Sequence, residues 1–288
     1  MRAKAMAYGA ITVVNAISIG RGSALGIDLW THASVDLNDN AGMINVQIKS
    51  DPNESSELTC KVVSKVLQRF KVDDRYGAEV EVDSNIPIAR GLKSSSAAAN
   101  AIALATVGAL RKKLHDLEIV KLGVKAAIEA GVTITGAFDD ACASYFGNLV
   151  VTDNRKLKIE KNYDIKKRYK VLVHVPELKS YTINSNVERM KEIAPLIQVA
   201  YQQALKGNFW DAMCLNGYAH STALGYNSSI AMEALSAGAV AAGLSGKGPA
   251  VAAIVPSNKV DSVKEAWAKY AGKLILAGIN RKKAHLLR

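Results

Sequence analysis

Three consecutive serines, Ser94 to Ser96, follow a glycine turn at Gly91 and precede an alanine-rich segment with the composition of a buried helix. Small residues let a backbone approach a ligand closely, and the unpaired N–H groups of a helix's first turn favour a bound anion. The serine hydroxyls add hydrogen-bond donors and can bind a metal ion. Serines that only cap a buried helix would have the same composition, so this stretch alone leaves both interpretations open.

Two neighbouring carboxylates, Asp139 and Asp140, lie in a mostly apolar segment that glycines bound at Gly131 and Gly147. A carboxylate in such surroundings is costly unless it is used or paired. A carboxylate held in such a place can serve as a base or orienting group for a reacting hydroxyl. Both aspartates could instead cap the helix that begins near Ala141.

The charge balance narrows the class of ligand. The 288 residues carry a net charge of +11, which suits nucleic acid, an anionic membrane or small anionic substrates. Aromatic residues make up only 6% of the chain, and neither a zinc-ligand cluster nor an RNA-binding aromatic motif occurs. We therefore expect small anions, and neither nucleic acid nor a membrane, as partners.

The cysteines and the apolar runs indicate the compartment. Cys60, Cys142 and Cys214 are odd in number and widely spaced, so they predict no disulfide framework and favour a reducing, cytoplasmic setting. No run approaches the roughly 18 apolar residues of a transmembrane helix.

Hydrophobic periodicity predicts an α+β chain. The length of 288 residues favours two domains, and a basic connector or hairpin at 154–170 places the boundary between 1–153 and 154–288. Residues 15–26 are predicted to form a loop. The predicted strands are 2–14, 27–37, 43–49, 76–82, 148–152, 169–175 and 274–279, with two more flanking the glycine turn 243–248. The predicted helices are 55–70, 94–110, 116–130, 184–205, 209–224, 229–238 and 259–270.

Three motifs make a family resemblance specific. IPIARGLKSSSAAA at 86–99 resembles the second signature of the GHMP kinases, in which a proline and a short spacer precede Gly-Leu-x-Ser-Ser. KAMAYG at 4–9 is similar to the family's N-terminal strand, and LSGKGPAVAAI at 244–254 resembles its third, glycine-rich motif. Within the family, three segments are similar to those of the archaeal-type shikimate kinases: GLKSSSAAANA, ITGAFDDACAS and AYGAITVVNAI.

The resemblance implies a two-domain GHMP kinase fold: an N-terminal domain like the second domain of ribosomal protein S5, a ferredoxin-like C-terminal domain, and an active site between them. It implies ATP-dependent phosphorylation of the 3-hydroxyl of shikimate, with Mg²⁺, in chorismate biosynthesis. It leaves a homodimer open. The implied ATP-binding residues are Pro87, Ile88, Ala89, Arg90, Gly91, Leu92, Lys93, Ser94, Ser95, Ser96 and Ala97.

Roles follow from the same resemblance. Asp139 aligns with the family's candidate base, and Lys4 resembles the lysine that pairs with this aspartate. Ser95 matches the serine that reaches Mg²⁺, and Glu129 resembles its partner carboxylate, although it lies one residue closer to Asp139 than the family spacing. Lys93 replaces the usual glycine. Its side chain either adds a cation near phosphate or points to solvent, and we favour the position in solvent.

The acceptor side is less specific. Thr182 matches a residue that faces the acceptor, and Asp140, Ser245 and Gly246 are candidates on the substrate side. An acceptor carboxylate needs a cation, for which Arg21 and Arg90 are candidates. Two alternatives stay open: the same family with homoserine or mevalonate as acceptor, and a basic RNA-binding module on an S5-like fold.

Overall fold

The computed structural model describes residues 1–177 and 186–287, and they build two β-sheets with helices packed on both. The first sheet has the order β11-β1-β2-β4-β3, and β5 pairs with β2 and with β6. Its strands are β1 (Arg2–Val14), β2 (Arg21–Asn38), β3 (Ile44–Ile48), β4 (Gly77–Ser84), β5 (Leu149–Asp153), β6 (Lys158–Tyr163) and β11 (His285–Leu287). Pairing is antiparallel except between β3 and β4.

Four helices cover one face of this sheet, and their apolar sides form its core with alternate strand residues. They are α1 (Glu57–Arg69), α2 (Ser94–Ala109), α3 (Asp116–Glu129) and α4 (Phe138–Phe146). The alanine-rich α2 packs against both β1 and β2, because its small side chains allow close approach. Its position places the serines at its first turn beside the end of β1.

The second sheet is antiparallel, with the order β10-β7-β9-β8. Its strands are β7 (Tyr169–Val175), β8 (Ala241–Leu244), β9 (Val251–Pro256) and β10 (Lys273–Gly278). The accompanying helices are α5 (Val187–Glu192), α6 (Ala194–Leu205), α7 (Phe209–Leu224), α8 (Ser229–Ser236), a short 3-10 helix (Ser257–Lys259) and α9 (Val260–Trp267). A shared core joins the sheets, since Ile11 and Val13 of β1 pack in one cluster with Val171 and Val173 of β7.

Several element boundaries differ from the sequence prediction. The strand predicted to start at residue 27 begins at Arg21, because Arg21 to Leu25 pair with β5 across half of the predicted loop. The predicted helix 184–205 is divided into α5 and α6, with Ile193 ending the first and a proline in the first turn of the second. The basic connector contains β6, as the hairpin alternative required.

The last strand, β11, was not predicted. It pairs antiparallel with β1, with Lys4 opposite Leu287 and Met6 opposite His285, so residues beyond 280 complete the first sheet. The division at residues 153 and 154 stays a prediction. Among residues 1–177 and 186–287, no helix has the length and apolar character needed to cross a bilayer.

Candidate active site

A cavity of about 370 Å³ opens between the serine turn, the start of α4 and the turn between β8 and β9. Its wall includes apolar side chains, among them Ile48, Leu58, Val82 and Ile134. It also carries the polar and charged groups described below. A ligand with both apolar and anionic parts would suit this lining.

The serine turn reaches the cavity through left-handed backbone. Ala89, Gly91 and Lys93 have φ values of 54°, 87° and 66°, and α2 begins directly after them. The first-turn N–H groups of a helix have no intrahelical acceptor, so this turn presents donors and the positive end of a dipole. The cavity-lining members of the predicted ATP-binding set are Ile88, Ala89, Gly91, Lys93, Ser94, Ser95 and Ser96.

The other predicted ATP-binding residues do not line the cavity. Leu92 and Ala97 are buried in the core shared by the two sheets, where they anchor the turn from behind. The carbonyl of Arg90 accepts a hydrogen bond from the Ala250 N–H at 3.3 Å. Pro87 is half-buried at the entry to the turn.

The glycine turn after β8 is bonded to the serine turn and to β1. Ser245 Oγ donates to the Gly91 carbonyl at 2.7 Å and accepts from the Thr12 N–H at 3.2 Å. The Gly246 N–H donates to Thr12 Oγ1 at 2.9 Å, and Asn15 Nδ2 donates to the Gly246 carbonyl at 2.8 Å. Ser245 is fully buried and outside the cavity lining, so its visible role is to hold these segments together.

Asp139 lies in the first turn of α4 with only 3% of its surface exposed, and it lines the cavity. Asn154 Nδ2 donates to its Oδ1 at 2.8 Å, and Thr152 Oγ1 donates to Asn154 Oδ1 at 2.7 Å, which fixes the orientation of that amide. Burial first, and then the charge of Asp140, raise the pKa of Asp139 to about 7, against the Asn154 hydrogen bond and the Lys93 charge. Asp139 can therefore exchange a proton near neutral pH.

Asp140 forms an ion pair with Lys93, with 3.1 Å between Oδ2 and Nζ. Their side chains are only 13% and 9% exposed, so the expectation that Lys93 points to solvent is wrong. The left-handed backbone at Lys93 turns its side chain across the start of α2 toward α4. The pair joins the serine turn to the aspartates and places a cation at the anion-binding end of the cavity.

Lys247 is a second cation at this end, which the sequence did not single out. It lines the cavity, and its Nζ is buried without a hydrogen-bond partner among the described residues. Burial first, and then the charge of Lys93, lower the pKa of Lys247 to about 7, and Asp140 opposes the shift. The ammonium form is disfavoured until an anion arrives.

Lys4 does not lie beside Asp139, so the predicted pairing of these two residues is wrong. It is exposed on β1, opposite Ser34, and its charge acts on His32 and Glu81. Thr12 is the β1 residue that lines the cavity with the aspartates, and it lies eight positions beyond Lys4 along the strand, a span of about 26 Å. The cation paired at this site is Lys93.

Two further predicted residues, Glu129 and Arg21, lie elsewhere. Glu129 forms an ion pair with Lys65 at 2.5 Å and does not line the cavity. Arg21 Nε lies 3.4 Å from Asp153 Oδ2, with its guanidinium over the Tyr201 ring, also outside the cavity lining. Thr182 lies outside the described residues.

The oxygen donors near the serine turn fit a Mg²⁺ ion that is held mainly by nucleotide and water. Ser95 is exposed to the cavity at the start of α2 and offers one hydroxyl. Within the two described ranges, no group of three or more His, Cys, Asp or Glu residues could hold a metal. Mg²⁺ typically keeps several waters and few protein ligands, so one hydroxyl beside phosphates suffices and a carboxylate cage is not required.

Sequence reasoning missed several residues that shape the site. The sequence gave no signal for Thr12, Asn15 or Asn154, because each acts through a hydrogen bond to a different element of the fold. Gly22 is also essential to the geometry, since a β-carbon there would lie 2.7 Å from Asp139 Cγ. The run of glycines at 20–26 was the available hint, although it suggested a loop.

Comparison with known proteins identifies the family of the chain. Family models for the N-terminal and C-terminal domains of GHMP kinases match residues 57–148 and 225–273. The shikimate kinases of Methanosarcina mazei and Methanosarcina acetivorans are each 44% identical to this chain, over 278 and 282 residues, covering 96% and 97% of it and 94% and 95% of theirs. The crystal structure of homoserine kinase from Cytophaga hutchinsonii superposes with a TM-score of 0.78 at 16% identity, covering 99% of this chain and 97% of that one. The chain therefore belongs to the GHMP kinase family, in the group that contains the archaeal shikimate kinases.

Proposed function

We propose that this protein transfers the γ-phosphoryl group of ATP to the 3-hydroxyl of shikimate, forming shikimate 3-phosphate and ADP on the route to chorismate. The observation that supports the reaction class is the buried Asp139 in the same cavity as the serine turn. The relatives, which are named shikimate kinases and match the chain over nearly its full length, support the choice of acceptor.

The nucleotide would lie along the cavity. Its base and ribose fit the apolar wall around Leu58 and Ile134, and its phosphates reach the first turn of α2. N–H groups from Ser94 to Ser96, the serine hydroxyls and Lys93 would hold the phosphate oxygens. Mg²⁺, held by the Ser95 hydroxyl and the phosphates, would neutralise part of their charge.

Asp139 would orient the acceptor hydroxyl and take its proton. The hydroxyl oxygen forms the new bond to the γ-phosphorus, the bond to the ADP oxygen breaks, and the proton passes to the Asp139 carboxylate. A base with a pKa of about 7 is partly ionised at neutral pH, which suits general base catalysis. Asn154 would keep Oδ1 hydrogen-bonded, leaving Oδ2 for the substrate.

A coupled assay for ADP tests the proposal. Purified protein with ATP and Mg²⁺ is given shikimate, homoserine or mevalonate in turn, and the product is identified by mass spectrometry. ADP formation with shikimate, and little with the others, is the expected result. Turnover of homoserine or mevalonate without turnover of shikimate would refute the acceptor assignment and keep the reaction class.

A second arm tests the base. Asp139→Asn keeps the side-chain shape and removes the carboxylate, so kcat should fall by about 10²-fold to 10⁴-fold. A variant that folds and retains full kcat would exclude Asp139 as the base. The predicted absence of nucleic acid, the homodimer and the cytoplasmic location stay predictions.

A further inference from the structure

Two buried polar atoms at the anionic end of the cavity have no hydrogen-bond partner among the described residues: Lys247 Nζ and Asp140 Oδ1. Buried polar atoms in folded proteins are nearly always hydrogen-bonded, so each exception calls for an explanation. Both residues line the cavity, one from the glycine turn and one from the start of α4. A ligand bound in the cavity would supply the missing hydrogen-bond partners of both atoms.

Lys247 and Asp140 are not paired with each other because a second lysine, Lys93, competes for the Asp140 carboxylate. Lys93 already occupies Oδ2 of Asp140 at 3.1 Å. Lys93 Nζ also lies beside the turn that carries Lys247, since a β-carbon on Gly246 would be only 3.0 Å from it. Two lysine side chains therefore lie near one carboxylate, Asp140, whose Oδ2 is paired with Lys93. A bound anion would supply the partner that Lys247 lacks among the described residues.

The cations at and near the cavity differ in whether they are paired, and the buried Nη1 of Arg90, which lies just outside the lining, also has no hydrogen-bond partner among the described residues. Among the described residues that line the cavity, the basic side chains are Lys93 and Lys247, and Lys93 has a protein partner. Arg21, the arginine predicted for an acceptor carboxylate, is paired with Asp153 outside the lining. Lys247 is the cavity cation without a partner in the described part of the chain.

We propose that Lys247 binds an oxyanion of the substrates, either the acceptor carboxylate or the phosphoryl group in transfer, and that Asp140 Oδ1 accepts a hydrogen bond from an acceptor hydroxyl. The identity of the acceptor in this statement rests on the proposed function. Shikimate fits, because it carries a carboxylate and several hydroxyls on one small ring. Lys247 would then be a substrate-binding residue on the glycine turn, and Asp140 would select polyhydroxylated acceptors.

Steady-state kinetics of Lys247→Met and Lys247→Arg test the proposal, with Lys206→Met, an exposed lysine at the end of α6, as the matched control. A hydrogen bond to a charged group contributes about 1.5–3 kcal/mol, so Lys247→Met should lose about 10-fold to 100-fold in activity. A rise in KM for shikimate alone assigns the acceptor carboxylate. A loss of kcat with KM for shikimate unchanged assigns the phosphoryl group.

Lys247→Arg should recover part of the loss, and Lys206→Met should match the wild type. A folded Lys247→Met enzyme with kcat and both KM values within twofold of the wild type would overturn the proposal. If the wild type phosphorylates a different carboxylate acceptor, the proposed function fails, and the same variants test Lys247 with that acceptor and with ATP.

Proton uptake on binding gives a readout that a structural lysine would not change. Burial lowers the pKa of Lys247 to about 7, so much of it is neutral at pH 8, and an oxyanion bound to its ammonium form would draw in a proton. Titration calorimetry with ATP or shikimate, in two buffers of different ionisation enthalpy, measures this uptake. Arginine is always protonated, so Lys247→Arg should lose it, whereas uptake by Asp139 would remain in both proteins. Equal uptake by wild type and Lys247→Arg with both ligands would also refute the proposal, even if Lys247→Met failed to fold.

Discussion

Gly22→Ala should disable the enzyme by displacing one carboxylate. Gly22 lies on β2 directly against Asp139, and a β-carbon there would lie 2.7 Å from Asp139 Cγ, closer still to Oδ2, and 2.9 Å from Ala16 Cβ. Its φ is not in the left-handed region, so alanine meets no backbone strain. The collision falls on the side chain that the mechanism needs.

The size of the effect follows from the contact. Carbon atoms pack at about 3.5–4.0 Å, so Asp139 must move by about 1 Å. Misplacement of a reacting group by about 1 Å can cost about 10²-fold in rate. We therefore expect kcat to fall about 100-fold in the coupled assay, with a melting temperature that shows a folded protein.

Gly26→Ala is the matched control. It lies on the same strand, and its β-carbon would meet the Ala143 carbonyl at 2.9 Å, near the far end of the same helix, α4. It should lower the melting temperature and leave kcat of the folded fraction near the wild-type value. If Gly22→Ala retains wild-type kcat, or if both variants lose kcat equally, the proposed position of Asp139 as the base is refuted.

Two more predictions concern the charges around Asp139. Because the pKa of Asp139 is raised to about 7, kcat/KM should fall as pH drops through about 7. The unfolded chain releases the same proton near pH 3.8, so the free energy of unfolding should fall as pH rises from 3.8 to about 7. Urea titrations of Asp139→Asn should show no such dependence on pH. Lys93→Met leaves the buried Asp140 charge unpaired and should cost about 3 kcal/mol in urea unfolding, part of which Asp140→Asn should restore. Since the charge of Lys93 lowers the pKa of Asp139, the fall of kcat/KM at acid pH should move to higher pH in Lys93→Met. An unchanged pH profile would contradict the electrostatic coupling between Lys93 and Asp139.

The serine turn and the aspartates could be located from the sequence because their signals are local. Glycine at a left-handed position, serines at a helix start and two adjacent carboxylates in an apolar segment each constrain the backbone or its solvation within a few residues. The structure places Gly91, Ser94 to Ser96, Asp139 and Asp140 around one cavity. The α+β content likewise followed from periodicity, and the family resemblance implied the kind of fold that the two sheets form.

Partners across the fold could not be inferred in the same way. The family resemblance paired Lys4 with Asp139, and strand periodicity could not test this, because it shows which face a residue takes and not how far along the strand the site lies. Lys93 and Lys247 come together only because a turn after β8 meets a turn before α2. A lysine in a glycine-rich turn predicts solvent, and only tertiary contacts reveal its burial.

The pairing of β11 with β1 has a consequence for synthesis on the ribosome. β1 is synthesised before its neighbour on that side, β11, and residues 15–284 separate the two strands in the sequence. Until β11 is made, β1 has an open edge with unpaired backbone groups, which is the kind of surface that pairs with other chains. The nascent chain is therefore exposed to aggregation at this edge while residues 15–284 are translated, and pairing with β11 removes that exposure.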